Sequence, residues 1–162
     1  MPRPAYMTIE GENQGEIKGS CDLEGREDTI LVQAVEHDVH IPSDPQTGLA
    51  RGTRVHGPLK IVMEVDKATP LLYQALCSGE HLKSVELKWY RIAKDGKEEH
   101  YFTTKLEDAI IVSIRSWMPN CLDKASGPFS YMADVNFTYR KAIWRHEVDT
   151  TEAEDDWKKP RE

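Results

Sequence analysis

Along most of the chain apolar and polar residues alternate, the period of a strand with one buried face. The pattern is clearest at 59–65, where Leu59, Ile61, Met63 and Val65 share one side. It returns at 85–93, with Val85, Leu87 and Trp89 against Glu86, Lys88 and Tyr90. Residues 5–10 predict a short first strand anchored by Tyr6 and Ile9, and 99–105 and 109–117 predict two more. In the second of these Ile110, Val112 and Ile114 take one face, Ser113 and Arg115 the other. Between 129 and 146 Val135, Phe137 and Tyr139 alternate in a strand pair or one bent strand. The run at 29–41 mixes its periods, and a bulge near Ala34 reconciles them.

One stretch changes to the helical period. Leu71, Leu72, Ala75 and Leu76 recur on one face. Thr69 is placed to cap the first turn, Pro70 to occupy a position needing no N–H, and Gly79 to end the helix in the left-handed region. Asp95-Gly96, between strand-like flanks, predicts a two-residue hairpin turn. Segments 11–25, 42–58 and 119–128 carry no period and predict loops. The sum is seven to nine strands and one helix: an all-β sandwich or barrel, with the helix packed on a sheet or plugging one opening.

Composition narrows the function classes. A net charge of −7 argues against a nucleic-acid partner, because phosphate binding needs a concentrated positive face. No window approaches the roughly 20 apolar residues of a membrane-spanning helix, so no membrane insertion is expected. The N-terminus carries no apolar signal core, so export is expected to bypass the signal-peptide route. Cys21, Cys77 and Cys121 are odd in number and lack metal-site or redox spacing, which predicts free thiols; Cys77 reads as a small core residue.

Candidate chemistry is sparse. His37 and His40 stand three apart, on opposite faces of a strand, and meet on one metal only across a bulge. Facing solvent or capping is the alternative. His56, His81, His100 and His146 lack ligand spacing. Glu98-Glu99, Glu107-Asp108 and Asp155-Asp156 read as solvated surface. No serine or cysteine sits on a nucleophile elbow, and no glycine loop cradles phosphate. No catalytic residue, metal or cofactor is therefore assigned. Trp89, Trp117 and Trp144 read as packing residues.

The long 42–57 segment needs its own explanation, because a loop of this length in a small domain is functional or disordered. Its residues are Pro42, Asp44, Pro45, Gln46, Gly48, Leu49, Arg51, Arg54, Val55 and His56, among others. Leu49 and Val55 supply apolar anchors. Arg51, Arg54 and His56 form a small basic cluster, for solubility or for an acidic patch on another chain. Residues 1–148 are expected to form the domain, and 149–162 a mobile acidic-then-basic tail unless Trp157 docks.

Several blocks, taken in order, make one pattern along the chain. They begin with Ala5-Tyr6-Met7-Thr8-Ile9-Glu10-Gly11 and Ile41-Pro42-Ser43-Asp44-Pro45-Gln46-Thr47-Gly48. They are densest in Thr69-Pro70-Leu71-Leu72-Tyr73-Gln74-Ala75-Leu76 and Leu87-Lys88-Trp89-Tyr90-Arg91. Glu99-His100-Tyr101-Phe102-Thr103-Thr104, Met118-Pro119-Asn120-Cys121 and Asp155-Asp156-Trp157 follow.

Together these blocks resemble the Hcp (haemolysin-coregulated protein) family, which forms the inner tube of the bacterial type VI secretion system. The resemblance implies a phage tail-tube-like β-barrel of two packed antiparallel sheets with one flanking helix. It implies a homohexameric ring, stacked into a hollow tube that a contractile sheath expels from a baseplate behind a spike protein. Secreted effectors travel in or with the lumen. The subunit is cytoplasmic before assembly and extracellular after it, and 42–57 is the loop that reaches a neighbouring subunit. Two other readings stay open: a monomeric ligand-binding barrel with 42–57 as a lid, and a hydrolase built on Cys121 or the histidines.

Overall fold

The alternating segments close on one another. The computed structural model describes residues 3–159. Its elements are β1 (Ala5–Gly11), β2 (Gly15–Ile17), β3 (Ile30–Glu36), β4 (Val39–His40), β5 (Val55–His56), β6 (Leu59–Glu64), α1 (Thr69–Ser78), β7 (Leu82–Ile92), β8 (Glu98–Trp117), β9 (Met132–His146) and β10 (Thr151–Asp156). A single 3-10 turn, Lys124–Ser126, lies between β8 and β9. β1, β7, β8, β9, β6 and β3 pair antiparallel in that cyclic order, and β3 returns to β1. The result is a closed six-stranded barrel, as expected, with its two sides continuous at both edges. β2 extends the sheet from β1. β9 carries β6 along its first half and β10 along its second, with β8 on its other edge.

Inward positions follow the alternation. Leu59, Ile61 and Met63 of β6 face Val135 and Phe137 of β9, with Met7, Ile30 and Leu87, all excluded from solvent. The bulge expected near Ala34 is present: the β3–β6 register shifts between Val32 and Ala34. Two predicted strands, 99–105 and 109–117, are one 20-residue strand, β8. Asp108 adopts a left-handed backbone with φ 51°, so the chain kinks there without leaving the sheet. That kink and a second register shift between Ile111 and Ser113 change the inward set. Ala109 and Ile111 are buried while Val112 is exposed, a correction to the expected Ile110–Val112–Ile114 face.

The helix packs Leu72 and Ala75 into the barrel's core cluster, and the Tyr73 hydroxyl hydrogen-bonds Ser116 of β8. Gly79 ends it at φ 67°, its N–H reaching back to the Ala75 and Leu76 carbonyls, as the glycine predicts. The start differs by one residue. Ala68 holds the cap position, and Asp66 Oδ1 accepts from the Ala68 N–H at 2.9 Å. The Thr69 hydroxyl turns outward from the helix to accept from the Asp66 N–H at 3.1 Å. Cys77 is exposed rather than in the core, and all three cysteines are free thiols.

The turn after β7 is also longer than its sequence suggests. The Gly96 N–H donates to Ala93 O and the Ala93 N–H to Lys97 O. Of the turn residues only Gly96 has positive φ, at 84°, so this is a type I turn closed by a glycine bulge, not a two-residue turn. Segment 149–159 meets the condition set by its tryptophan. β10 pairs with β9 from Thr151↔His146 to Asp156↔Lys141, and Trp157 Nε1–H donates to Tyr139 O. Residues 160–162 of the expected tail lie outside the described residues.

Candidate functional site

Residues 39–56 have no hydrophobic period, yet the backbone is ordered as a hairpin arm. Val39 pairs with His56 and His40 with Val55 at the root, and Ser43 bridges to Ala50 further out. The Arg51 N–H donates to Pro42 O and the Asp44 N–H to Leu49 O. At the tip Asp44 Oδ1 accepts from the Gln46 N–H, and Gly48 turns the chain at φ 72°. The arm therefore spends its hydrogen bonds on itself and stands out from the barrel. Six residues from root to tip span roughly 20 Å.

Its side chains divide into two groups. Val39, Ile41, Leu49 and Val55 are exposed, Leu49 by 68%. Pro42, Pro45, Gln46 and Gly48 are exposed with them. Arg51 Nη2–H donates to Asp44 Oδ2 at 2.7 Å, yet its side chain remains 75% exposed. Arg54 and His56 instead face the body of the protein. Arg54 forks onto Asp155 of β10, at 2.9 and 3.0 Å, and donates to the carbonyls of Asp156 and Lys159. Such a bidentate pair fixes orientation as well as contributing energy.

The histidines complete the root. His56 Nε2 lies 2.6 Å from Asp155 Oδ2, and its Nδ1 lies 2.7 Å from the Tyr139 hydroxyl. His37 Nε2, from the other leg of the arm, lies 2.6 Å from the same hydroxyl. A carboxylate only accepts, so His56 carries its proton on Nε2. In the neutral ring Nδ1 then accepts the Tyr139 O–H. The Tyr139 oxygen is left to accept from His37 Nε2–H. One phenol thus ties down both legs of the arm, and Asp155 ties in the C-terminal strand. Trp144 and Trp157 close the cluster, with ring centroids 6.3 and 5.4 Å from that of His56.

These contacts set the electrostatics. The Arg54 guanidinium, burial partly opposing it, holds the Asp155 carboxyl below the usual range, and the His56 hydrogen bond adds to the effect. Burial pushes His37 down, as does repulsion whenever His56 is protonated, against a smaller opposing pull from Asp38. Burial and the Asp155 charge push Tyr139 up, so its proton stays in place at neutral pH. Both shifts on His37 and Asp155 are downward, so each group binds protons more readily in the unfolded chain. Stability is full above about pH 6.5 and falls as His37 is passed, then falls again below about pH 4 through Asp155. Urea midpoints measured from pH 7.5 to 5 are expected to decline, and His37→Gln, which still donates to Tyr139, is expected to flatten that decline.

Sequence reasoning placed His37 at the surface or at a cap and Asp155 in solvated surface; both are corrected here. Their partners are 102 and 99 residues away in the chain, and no spacing rule reaches that far. His40 pairs with exposed Asp38 while His37 meets Tyr139, so the two serve different partners. Among the described residues no group of three or more metal-ligating side chains comes together, and no helix is long and apolar enough to cross a membrane.

The barrel and arm match known proteins along almost their whole length. The family model described as "Type VI secretion system effector, Hcp" matches residues 6–146. The chain belongs to the Hcp family. It is 49% identical to the "Major exported protein" of Pseudomonas aeruginosa, over 99% of this chain and 98% of that protein. A crystal structure of an Hcp protein superposes with a TM-score of 0.90 at 40% identity, covering 97% of this chain and 99% of the other. Secreted protein Hcp3 from Pseudomonas aeruginosa gives 0.80 at 44% identity, covering 95% and 97%. Hcp membership places the chain in the type VI secretion system, and the resemblance read from the sequence blocks is borne out.

Proposed function

We propose that the chain is a non-enzymatic tube subunit: it closes into hexameric rings, the rings stack, and residues 42–57 are the arm joining one copy to another. The observation that carries this reading is the arm itself. Its apolar residues are presented to solvent on a hairpin whose root is clamped by Tyr139, His56 and Arg54. Holding apolar side chains out on a rigid support is costly in water and is recovered when a partner covers them. A lid over a ligand site needs the opposite, a hinge with loosely held ends.

The histidine and carboxylate groups are consumed in holding the arm, which supports a structural rather than a catalytic role for them. Participation in the type VI secretion system supports a wider set of partners: the spike ahead of the tube, the sheath around it, the baseplate beneath it and effectors in its lumen. Export by sheath contraction then takes the chain from cytoplasm to outside the cell. Light scattering coupled to gel filtration tests the ring. The expected result is six times the chain mass at micromolar concentration, and a monomer mass across all concentrations refutes it.

A further inference from the structure

The barrel carries a cavity of about 380 Å³ with no assigned role, lined by Cys21, Leu23, Leu31, Val65 and the carboxylate-bearing Asp22 and Glu64. Its position is informative. β3 runs from Leu31 towards the arm, and β6 runs from the arm towards Glu64. Cavity and arm therefore sit at opposite ends of the same strand pair. Two copies related by a shift along that pair bring the arm of one onto the cavity of the next.

The chemistry also matches. The cavity floor is apolar, and Leu23 is exposed at its edge. Asp22 and Glu64 have no ion-pair partner among the described residues. Asp66 beside them is occupied by the N–H groups of Ser20 and Ala68. Lys18 and Lys67, close by in sequence, are held on Asp28 at 3.8 and 3.3 Å and pair with neither carboxylate. The arm offers an exposed leucine and, two residues on, an exposed guanidinium with donors to spare beyond its bond to Asp44.

We propose that this cavity is the arm's receptor on a second copy of the chain. Leu49 fills the apolar floor between Leu23, Leu31 and Val65, and Arg51 bridges to Asp22 and Glu64. The proposal rests on the reading of 42–57 as an assembly arm. A contact between two different surfaces of one chain is heterologous; related by a shift, it propagates without limit and builds a stack.

A native thiol makes the contact testable, because Cys21 lines the cavity. The experiment uses the full chain with Cys77 and Cys121 changed to serine and Ala50→Cys added at the exposed neighbour of Leu49, treated with a short bismaleimide under assembly conditions. The expected result is a ladder of cross-linked dimers, trimers and longer species on a denaturing gel, lost when Cys21→Ser is added. Absence of a ladder, or a yield of cross-linked dimer that is unchanged by Cys21→Ser, overturns the proposal. A second pair of variants separates it from the reading beneath. Arg51→Glu is expected to cut stacking at least tenfold in critical concentration, and Glu64→Lys to restore most of it. Stacking lost on Arg51→Glu but untouched by Glu64→Lys or Leu31→Arg, alone, leaves the arm reading standing and removes the cavity. Stacking unaffected by any arm variant removes both.

Discussion

Leu72→Asp leaves a chain without a cooperative unfolding transition, whereas Lys83→Asp melts as the parent does. Leu72 has no solvent exposure and joins the core shared by all six barrel strands. An aspartate there loses the leucine's burial, about 2–3 kcal/mol, and places an unpaired carboxylate among apolar atoms. The combined cost is several kcal/mol, comparable with the roughly 5–15 kcal/mol that holds a domain of this size together. Lys83 is on the exposed face at the start of β7, with Glu10 at 3.9 Å. Reversing its charge costs about 0.5 kcal/mol or less. Leu76, on the same helix face by sequence, is only half-buried, so the same change there lowers stability less. Circular dichroism melts of the three variants check the ordering; equal melting temperatures for Leu72→Asp and Lys83→Asp contradict the helix's placement against the core.

The second large effect is on assembly. Replacing residues 47–53 by a short glycine–serine linker is expected to leave the barrel folded and abolish ring stacking. None of these residues is buried, and the barrel ladder does not pass through them. Lengthening or loosening a surface loop costs well under about 1 kcal/mol in closure entropy. The root contacts of Arg54 and His56 lie outside the exchange and keep the C-terminal strand in place. What disappears is Leu49 and Arg51, the exposed leucine and guanidinium of the arm tip. Far-ultraviolet dichroism is expected to be unchanged while sedimentation shows rings without stacks. A variant that still stacks normally refutes the arm's role.

Much of the barrel was legible because burial on one face writes itself as alternation. Leu59, Ile61 and Met63 could be placed from their spacing alone, and so could the bulge near Ala34, where the period slips. The kink at Asp108 was not legible: a left-handed aspartate carries no compositional mark, so one strand read as two. The arm was visible only as missing periodicity, because a hairpin exposed over most of its length has no continuous buried face to impose a pattern. Its root was invisible for a different reason. His37, His56, Tyr139 and Asp155 are individually ordinary and meet only once β9 and β10 have folded beside the arm. Arg54, read as charge for a partner, is the residue whose fork onto Asp155 joins the arm to that strand.

The central claim, that copies of this chain form rings that stack through the arm, is tested most directly by negative-stain electron microscopy of the purified protein over a range of concentrations. The account predicts annular particles end-on at low concentration and, as concentration rises, striated stacks with a continuous lumen. Particles of single-barrel size at every concentration would contradict it.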